Sequence, residues 1–440
     1  VRHGISSYNL EKRVQGHCDD STLTDKGRDA ARMVGLALQS INFDAAYSSP
    51  LQRANETAQI ILSNLASAPL LTRSDNLKEI NLYEWEAMPF TEVEQKFPEA
   101  YKAWKDAPHE LKMLKPDATG AMVEYFPIAD LFDQAKQFWQ ETLPKHSGQT
   151  ILIVAHSGIN RALIGTAVGL VPVQYHAMYQ SNCGISVLNF AEGFGSPVQL
   201  ESVNLTDHMS QPLPRIPDNQ KGPRLLLVRH GETDWNRDKR FQGQIDVPLN
   251  EQGRTQSGKA AFFLKDIPID RAVSSPMARP KETAEIILQP HNGVTLELDD
   301  RLQEISHGLW EGKLESEIAG EYAAELEAWK DAPETVQMPE GENLQQVWER
   351  AIAAWKDIVA SAPQDRPTTI LVVAHDAINK AILCHLMGWG PDKFWVFKQG
   401  NGAVSVIDYP QGAEGKPVAQ ALNITTHLGG VLDKTAAGAL

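Results

Sequence analysis

Cysteine is scarce. The 440 residues hold only Cys18, Cys183 and Cys384, with no CxxC or metal-ligand spacing among them. An odd, scattered set of three does not suit a disulfide framework, so reduced thiols and a cytoplasmic protein are expected. The chain opens at Val1 rather than Met; a transit peptide ahead of it would move the expected location to the plastid stroma. Long apolar runs are also missing: runs such as 225–228 and 370–374 are far short of the roughly 18 residues of a membrane span. No membrane partner is therefore expected. Basic residues are in deficit, 41 Lys and Arg against 56 Asp and Glu, giving a net charge of −15. That excludes the positive footprint of a general nucleic-acid binder. It leaves open a small anionic ligand, whose pocket is set by its own arginines. The histidines never fall in HExxH or HxxxH spacing. Neither a catalytic metal nor an organic cofactor is expected.

What the chain does contain is a repeat. Val1-Arg2-His3-Gly4 returns as Val228-Arg229-His230-Gly231, and Ser48-Ser49-Pro50 with Arg53 and Glu56-Thr57-Ala58 returns as Ser274-Ser275-Pro276 with Arg279 and Glu282-Thr283-Ala284. Glu79-Ile80 matches Glu304-Ile305, Ala103-Trp104-Lys105-Asp106-Ala107-Pro108 matches Ala328-Trp329-Lys330-Asp331-Ala332-Pro333, and Val154-Ala155-His156 matches Val373-Ala374-His375. The separations are 227 residues for His3 and His230, 226 for Arg53 and Arg279, 225 for Glu79 and Glu304, and 219 for His156 and His375. A slow one-way drift means two homologous domains with small indels. We place them at 1–207 and 224–428, joined by a proline-rich linker at 208–223 and followed by a frayed tail at 429–440.

Within the second copy the pattern predicts strands at 225–228, 271–274 and 369–374 and helices at 253–263, 278–288, 344–361 and 378–387. Short, fully apolar strands alternating with helices predict an α/β fold, a mostly parallel central sheet with helices on both faces, once per copy. Such sheets carry their chemistry beyond the carboxyl ends of the strands.

That is where the repeated polar residues fall: Arg229, His230, Arg279 and His375 in the second copy, and Arg2, His3, Arg53 and His156 in the first. Guanidinium forks match the spread charge of a phosphoryl group better than ammonium does. Two of them beside a histidine disfavour imidazolium and so keep its attacking nitrogen available. A second histidine can donate to phosphoryl oxygens. Glu304, or Glu79, is the candidate acid for the leaving group and the later base for water. Each residue alone is a weak signal; the force lies in five recurring in one order twice. The implied partner is a small phosphorylated metabolite, with oligomeric state left open.

The stretch Leu227-Val228-Arg229-His230-Gly231-Glu232-Thr233-Asp234-Trp235-Asn236, followed by Phe241-Gln242-Gly243 and Pro248-Leu249, resembles the histidine phosphatase superfamily, which includes cofactor-dependent phosphoglycerate mutases. The resemblance covers nearly the whole chain, once per copy. It implies that His230 is the phosphorylated nucleophile, Glu304 the acid, and Arg229, Asn236, Gln242, Gly243, Arg279 and His375 phosphate or substrate ligands. The matching residues of the first copy are His3, Glu79, Arg2, Asn9, Gln15, Gly16, Arg53 and His156. The tandem arrangement resembles the plant group acting on 2-carboxyarabinitol 1-phosphate, most closely in the first copy at Leu82-Tyr83, Tyr125-Phe126-Pro127 and Gln180-Ser181-Asn182-Cys183-Gly184. That implies hydrolysis of a sugar-acid phosphate. The alternatives are mutase-type phosphoryl transfer, disfavoured by Phe241-Gln242-Gly243-Gln244 in place of the mutases' Phe-Thr-Gly-Trp, and one copy serving only as a phospholigand-binding scaffold. The copies also depart from each other: Ile5 stands opposite Glu232, Ala87 opposite Gly312, Ser157 opposite Asp376, and Gly158 opposite Ala377, and the first copy has no match for the loop Pro339-Glu340-Gly341-Glu342-Asn343. An acid at 376 is expected either to repel phosphate or to bind a substrate amine or hydroxyl.

Overall fold

A computed structural model describes residues 1–217, 220–363 and 366–436. The chain forms two compact units. The first comprises Val1–Val198 and Asn204–Gln211, the second Gln199–Val203 and Pro212–Leu440.

In the second unit the strands Arg224–Arg229, Arg271–Ser274, Leu296–Leu298 and Thr369–Ala374 run parallel, in the order 296–298, 271–274, 369–374, 224–229. Val404–Asp408 and then Val418–Ile424 extend the sheet antiparallel. Every residue of Arg224–Arg229 and Thr369–Ala374 is buried. Consecutive side chains point to opposite faces, so both faces of the sheet are covered. The helix pairs Glu251–Leu264 with Ala278–Leu288, and Leu344–Ala360 with Asp376–Leu386, supply the cover. The strands at 271–274 and 369–374 and the helix at 278–288 lie where the pattern puts them; the last helix starts two residues earlier, at Asp376.

The first unit repeats the parallel core with Leu71–Arg73, Ala45–Ser48 and Ile151–Val154, and Arg2 bridges Ala155 beside them. Where the second unit has the loop around Glu342, the first has an antiparallel hairpin, Met113–Pro116 with Met122–Tyr125. The Tyr125 hydroxyl donates to the Asn81 carbonyl (2.9 Å) and accepts from the Tyr83 amide (3.3 Å), joining the two segments singled out above.

Two boundaries differ from expectation. The segment read as a linker is fastened to the second unit from Pro212 onward. Leu213 is buried, the Pro214 carbonyl accepts from Arg224 (2.6 Å), and the amides of Lys221 and Gly222 donate to the carbonyls of Pro410 and Tyr409. The anchor is a buried pair that the sequence does not advertise, Arg224 Nε to Asp408 Oδ1 at 2.7 Å. The tail is likewise held: the Asp433 amide donates to Glu201 (2.8 Å), and Thr435 Oγ1 accepts from the Asn401 amide (3.1 Å). Residues 218–219 of the expected linker and 437–440 of the expected tail lie outside the described residues. No helix among the described residues is long and apolar enough to cross a membrane.

Candidate active sites

Each site grows from the turn after a parallel strand. His230 follows Arg224–Arg229, and Gly231 lets that turn pass the helix start at Gly253, whose carbonyl oxygen would collide with any Cβ at 231. The Gly231 amide is tied to Thr283 Oγ1 (3.1 Å). The Gly231 carbonyl lies 2.7 Å from His230 Nδ1. A carbonyl only accepts, so Nδ1 carries the proton and Nε2 keeps its lone pair. Burial, then Arg279, then Arg229 hold the His230 imidazole well below the usual histidine range, which keeps it neutral.

Arg279, fully buried, stands in the first turn of helix Ala278–Leu288. Its Nε lies 3.3 Å from His230 Nε2, and its other nitrogens donate to the Gly243 (2.8 Å) and Ile245 (3.2 Å) carbonyls. Burial lowers its pKa to about 10, still far above neutrality. Arg229 donates to the Gln399 carbonyl (2.6 Å). Asn236 spends its amide oxygen on Thr233 and Asn401 (3.1 and 3.2 Å), which leaves its NH2 group as the donor side. Arg229, His230, Asn236, Gln242, Gly243, Arg279 and Glu304 together line a small cavity open to solvent. His375 adjoins it, ring centroid 5.2 Å from that of His230, its Nε2 2.9 Å from Ser275 Oγ. Glu304 is buried, and its pKa is pushed up to about 7 by that burial and by Asp376, against the opposing pull of Arg279.

The first unit reproduces this frame. His3 Nδ1 lies 2.7 Å from the Gly4 carbonyl, and Gly4 is tied to Thr57 Oγ1. Arg2 donates to the Gln180 carbonyl (2.7 Å) and Arg53 to those of Gly16 (3.0 Å) and Cys18 (3.1 Å). His3 and His156 are 5.1 Å apart between ring centroids. Burial and the neighbouring arginines hold both well below the usual range. Asn9 is held by Asn182 (3.1 Å), whereas the Gln15 amide oxygen is taken up by Ser6 and Ser21 (2.9 and 3.0 Å).

Three observations correct or extend the expectations. Asp376 is not an open acid facing the ligand: it is buried, 2.6 Å from Lys380 Nζ and 3.7 Å from Arg229 Nη1. The backbone-clamping asparagines Asn182 and Asn401 were missed as site residues, although Asn182 belongs to a quoted segment. Asn401 donates to the His230 carbonyl (3.2 Å), and Asn182 to that of His3 (3.0 Å). Arg350 was missed too; its Nη2 grips the Glu304 carbonyl (2.9 Å) and Glu342 Oε2 (2.8 Å). Its counterpart role falls to Gln134, which holds the Asn76 and Lys78 carbonyls (3.1 and 2.8 Å). Among the described residues, no group of three His, Cys, Asp or Glu is arranged to hold a metal ion.

Neutral buried histidines make the second unit acid-sensitive. His230, His307, His375 and His427 all sit below the unfolded histidine value, so the unfolded chain binds more protons once the pH falls below about 6.5. Each then loses roughly 2 kcal/mol between pH 7 and 5. Glu304, raised to about 7, works the opposite way, but it is a single group against these histidines. The expected result is a thermal midpoint that falls on acidification from pH 7 to 5. A midpoint that is flat or rises would contradict the neutral assignment.

The family model for the histidine phosphatase superfamily (branch 1) matches residues 1–203 and again 225–425. The 2-carboxy-D-arabinitol-1-phosphatase of Triticum aestivum is 29% identical over 98% of this chain and 86% of its own length. A probable 2-carboxy-D-arabinitol-1-phosphatase of Arabidopsis thaliana is 29% identical over 98% and 87%. Phosphoserine phosphatase 1 of Hydrogenobacter thermophilus is 34% identical over 47% of this chain and 94% of its own. Among solved structures, YhfR of Bacillus stearothermophilus covers 47% of this chain and 99% of its own at 28% identity, with a TM-score of 0.44. With both units matched by the family model, the chain belongs to the histidine phosphatase superfamily as a tandem of two such domains.

Proposed function

We propose that the protein hydrolyses phosphomonoesters of small metabolites through a phosphohistidine, without a metal ion. The observation that carries this reading is His230 Nε2, opposite an Nδ1 turned to the Gly231 carbonyl, 3.3 Å from a buried guanidinium in a cavity lined by a second arginine. In this scheme the arginines and Asn236 bind the phosphoryl oxygens. His230 Nε2 attacks phosphorus as the P–O ester bond breaks, and Glu304 gives its proton to the departing oxygen. His375 donates to the charge that develops. Water then attacks phosphorus, its proton passes to Glu304, and the P–N bond breaks to release phosphate. The arginines supply the positive charge a metal would otherwise bring.

For the substrate we propose a sugar-acid phosphate. Two relatives along the whole chain bear the name 2-carboxy-D-arabinitol-1-phosphatase. The first unit also offers a second cation: Arg161 donates to His176 Nδ1 (3.1 Å) and lies over Tyr175 and Tyr179, with no ion pair to an acid among the described residues. Its charge bears on Arg2, one of the arginines assigned to the phosphate. That suits a substrate with a carboxylate beside its phosphate. The test is a panel of phosphorylated metabolites, sugar acids included, assayed with and without EDTA. Release of phosphate should survive chelation and be fastest for sugar-acid phosphates. Loss on chelation with recovery on adding a divalent ion would overturn metal independence, and a preference for uncharged sugar phosphates would overturn the substrate class.

A further inference from the structure

The two units hold their candidate acids differently, and the difference traces to the two residues after the second histidine. In the first unit these are Ser157 and Gly158, opening helix Ser157–Val168. Glu79 lies on that helix end: it accepts from the amides of Gly158 (3.1 Å), Ile159 (3.1 Å) and its neighbour Ile80 (2.9 Å), using both oxygens. Free amides at a helix N-terminus attract a carboxylate. The approach depends on glycine, since a Cβ at 158 would collide with Glu79 Oε1 and crowd the Tyr175 hydroxyl.

In the second unit the equivalent residues are Asp376 and Ala377. Among the described residues Glu304 retains only the bond from the Ile305 amide (3.0 Å), with none from Ala377 or Ile378. The Asp376 carboxylate occupies the first turn of the helix, 2% exposed, held by Lys380 at 2.6 Å and by Arg229 at 3.7 Å. Lys380 is itself fixed over the rings of Trp395 (4.5 Å) and Phe394 (4.9 Å).

We propose that Asp376 and Ala377 are positioning residues for Glu304: the charge of one and the methyl group of the other bar it from the end of helix Asp376–Leu386 and keep its carboxyl group directed at the pocket as proton donor to the leaving group. The inference rests on the reading of Glu304 as general acid. The charged and titratable groups around Glu304 are Asp376 from that helix, Arg279 from helix Ala278–Leu288, Arg229 and His230 at the end of strand Arg224–Arg229, His375, and Arg350 from helix Leu344–Ala360. Burial favours the protonated carboxyl first, and Asp376, the one acid among these groups, adds to it; both agree with the upward shift of Glu304.

The experiment uses the full chain carrying His3→Ala, so that only the second unit turns over. The pH dependence of kcat/KM is measured with an alkyl phosphate, whose leaving group needs a proton, and with p-nitrophenyl phosphate, whose leaving group departs without one. Asp376→Asn keeps the shape and an oxygen for Lys380 while removing the charge. It should move the alkaline limb for the alkyl ester toward acid by about one pH unit. At pH 8 that is a loss of about tenfold for the alkyl ester. Ala377→Gly, which leaves the buried Asp376–Lys380 pair intact, should move the limb the same way by less. With p-nitrophenyl phosphate no such limb is expected in any of the proteins. Glu304→Gln separates the two ideas. If it leaves alkyl phosphate hydrolysis unchanged, the general-acid reading fails. If it removes the limb while both Asp376→Asn and Ala377→Gly leave it in place, the acid stands and the positioning role is overturned.

Discussion

His230→Ala, introduced into a chain whose His3 is already alanine, is expected to reduce phosphatase kcat/KM by at least about 10³-fold, because the first bond to phosphorus then has no nucleophile. The size of the loss follows from the geometry. His230 Nε2 is the ring nitrogen left with a lone pair by the Nδ1–Gly231 contact, and Arg279 Nε stands 3.3 Å from it. No second nucleophile is placed equivalently in the cavity lining: Arg229, Arg279, Asn236 and Gln242 are donors, and Glu304 is the group assigned to the leaving oxygen. With His230 restored, substrate labelled in its phosphate and quenched during turnover should leave acid-labile label on His230. Acid-stable label on a serine or aspartate would refute the phosphohistidine route. Near-full activity in the double variant would place the chemistry outside both sites.

Much of this frame could be read from the chain because phosphate chemistry constrains residue types tightly. Arginine, histidine and a carboxyl group recur in order in both copies, and strands of unbroken apolar residues fix where they emerge. The strand Thr369–Ala374 and the helix Ala278–Leu288 have the bounds the pattern implies. The helix begins at Asp376, two residues ahead of the apolar spacing that starts at Ile378, with the acid in its first turn. Prolines at 212, 214, 217 and 223 suggest a free linker, yet their segment is fixed by Arg224 and Asp408, which are 184 residues apart. The contrast between Glu79 and Glu304 was not legible either. Both follow short strands and precede isoleucine; the glycine at 158 and the alanine at 377 are visible in the sequence, but their contact with the carboxylate appears only in three dimensions.

The final expectation concerns that asymmetry. His3→Ala and His230→Ala, made separately, are expected to cost different substrates differently, with the ratio of losses between two substrates reaching about 10²-fold. The phosphate frames are alike, so the discrimination comes from what surrounds them. In the first unit Arg161 donates to His176 and lies over Tyr175; in the second, the corresponding Lys380 is paired with Asp376 and walled by Phe394 and Trp395. A carboxylate next to the phosphate gains, in the first unit, a cation with no ion pair to an acid among the described residues, and meets a closed ion pair in the second. The loops differ as well. The first unit presents the hairpin ending at Tyr125, and the second a loop whose Glu342 is bound to Arg350 and to the Ser306 amide. Each such contact is worth about 1–3 kcal/mol between competing substrates, so two or three suffice for the ratio. Sugar-acid phosphates should therefore lose most with His3→Ala, and phosphoesters without a carboxylate most with His230→Ala. The measurement is kcat/KM for both classes in the two single variants and the double variant. Equal proportional losses on every substrate would show two redundant sites. A silent His3→Ala, with the sugar-acid activity intact, would assign the first unit to binding rather than turnover.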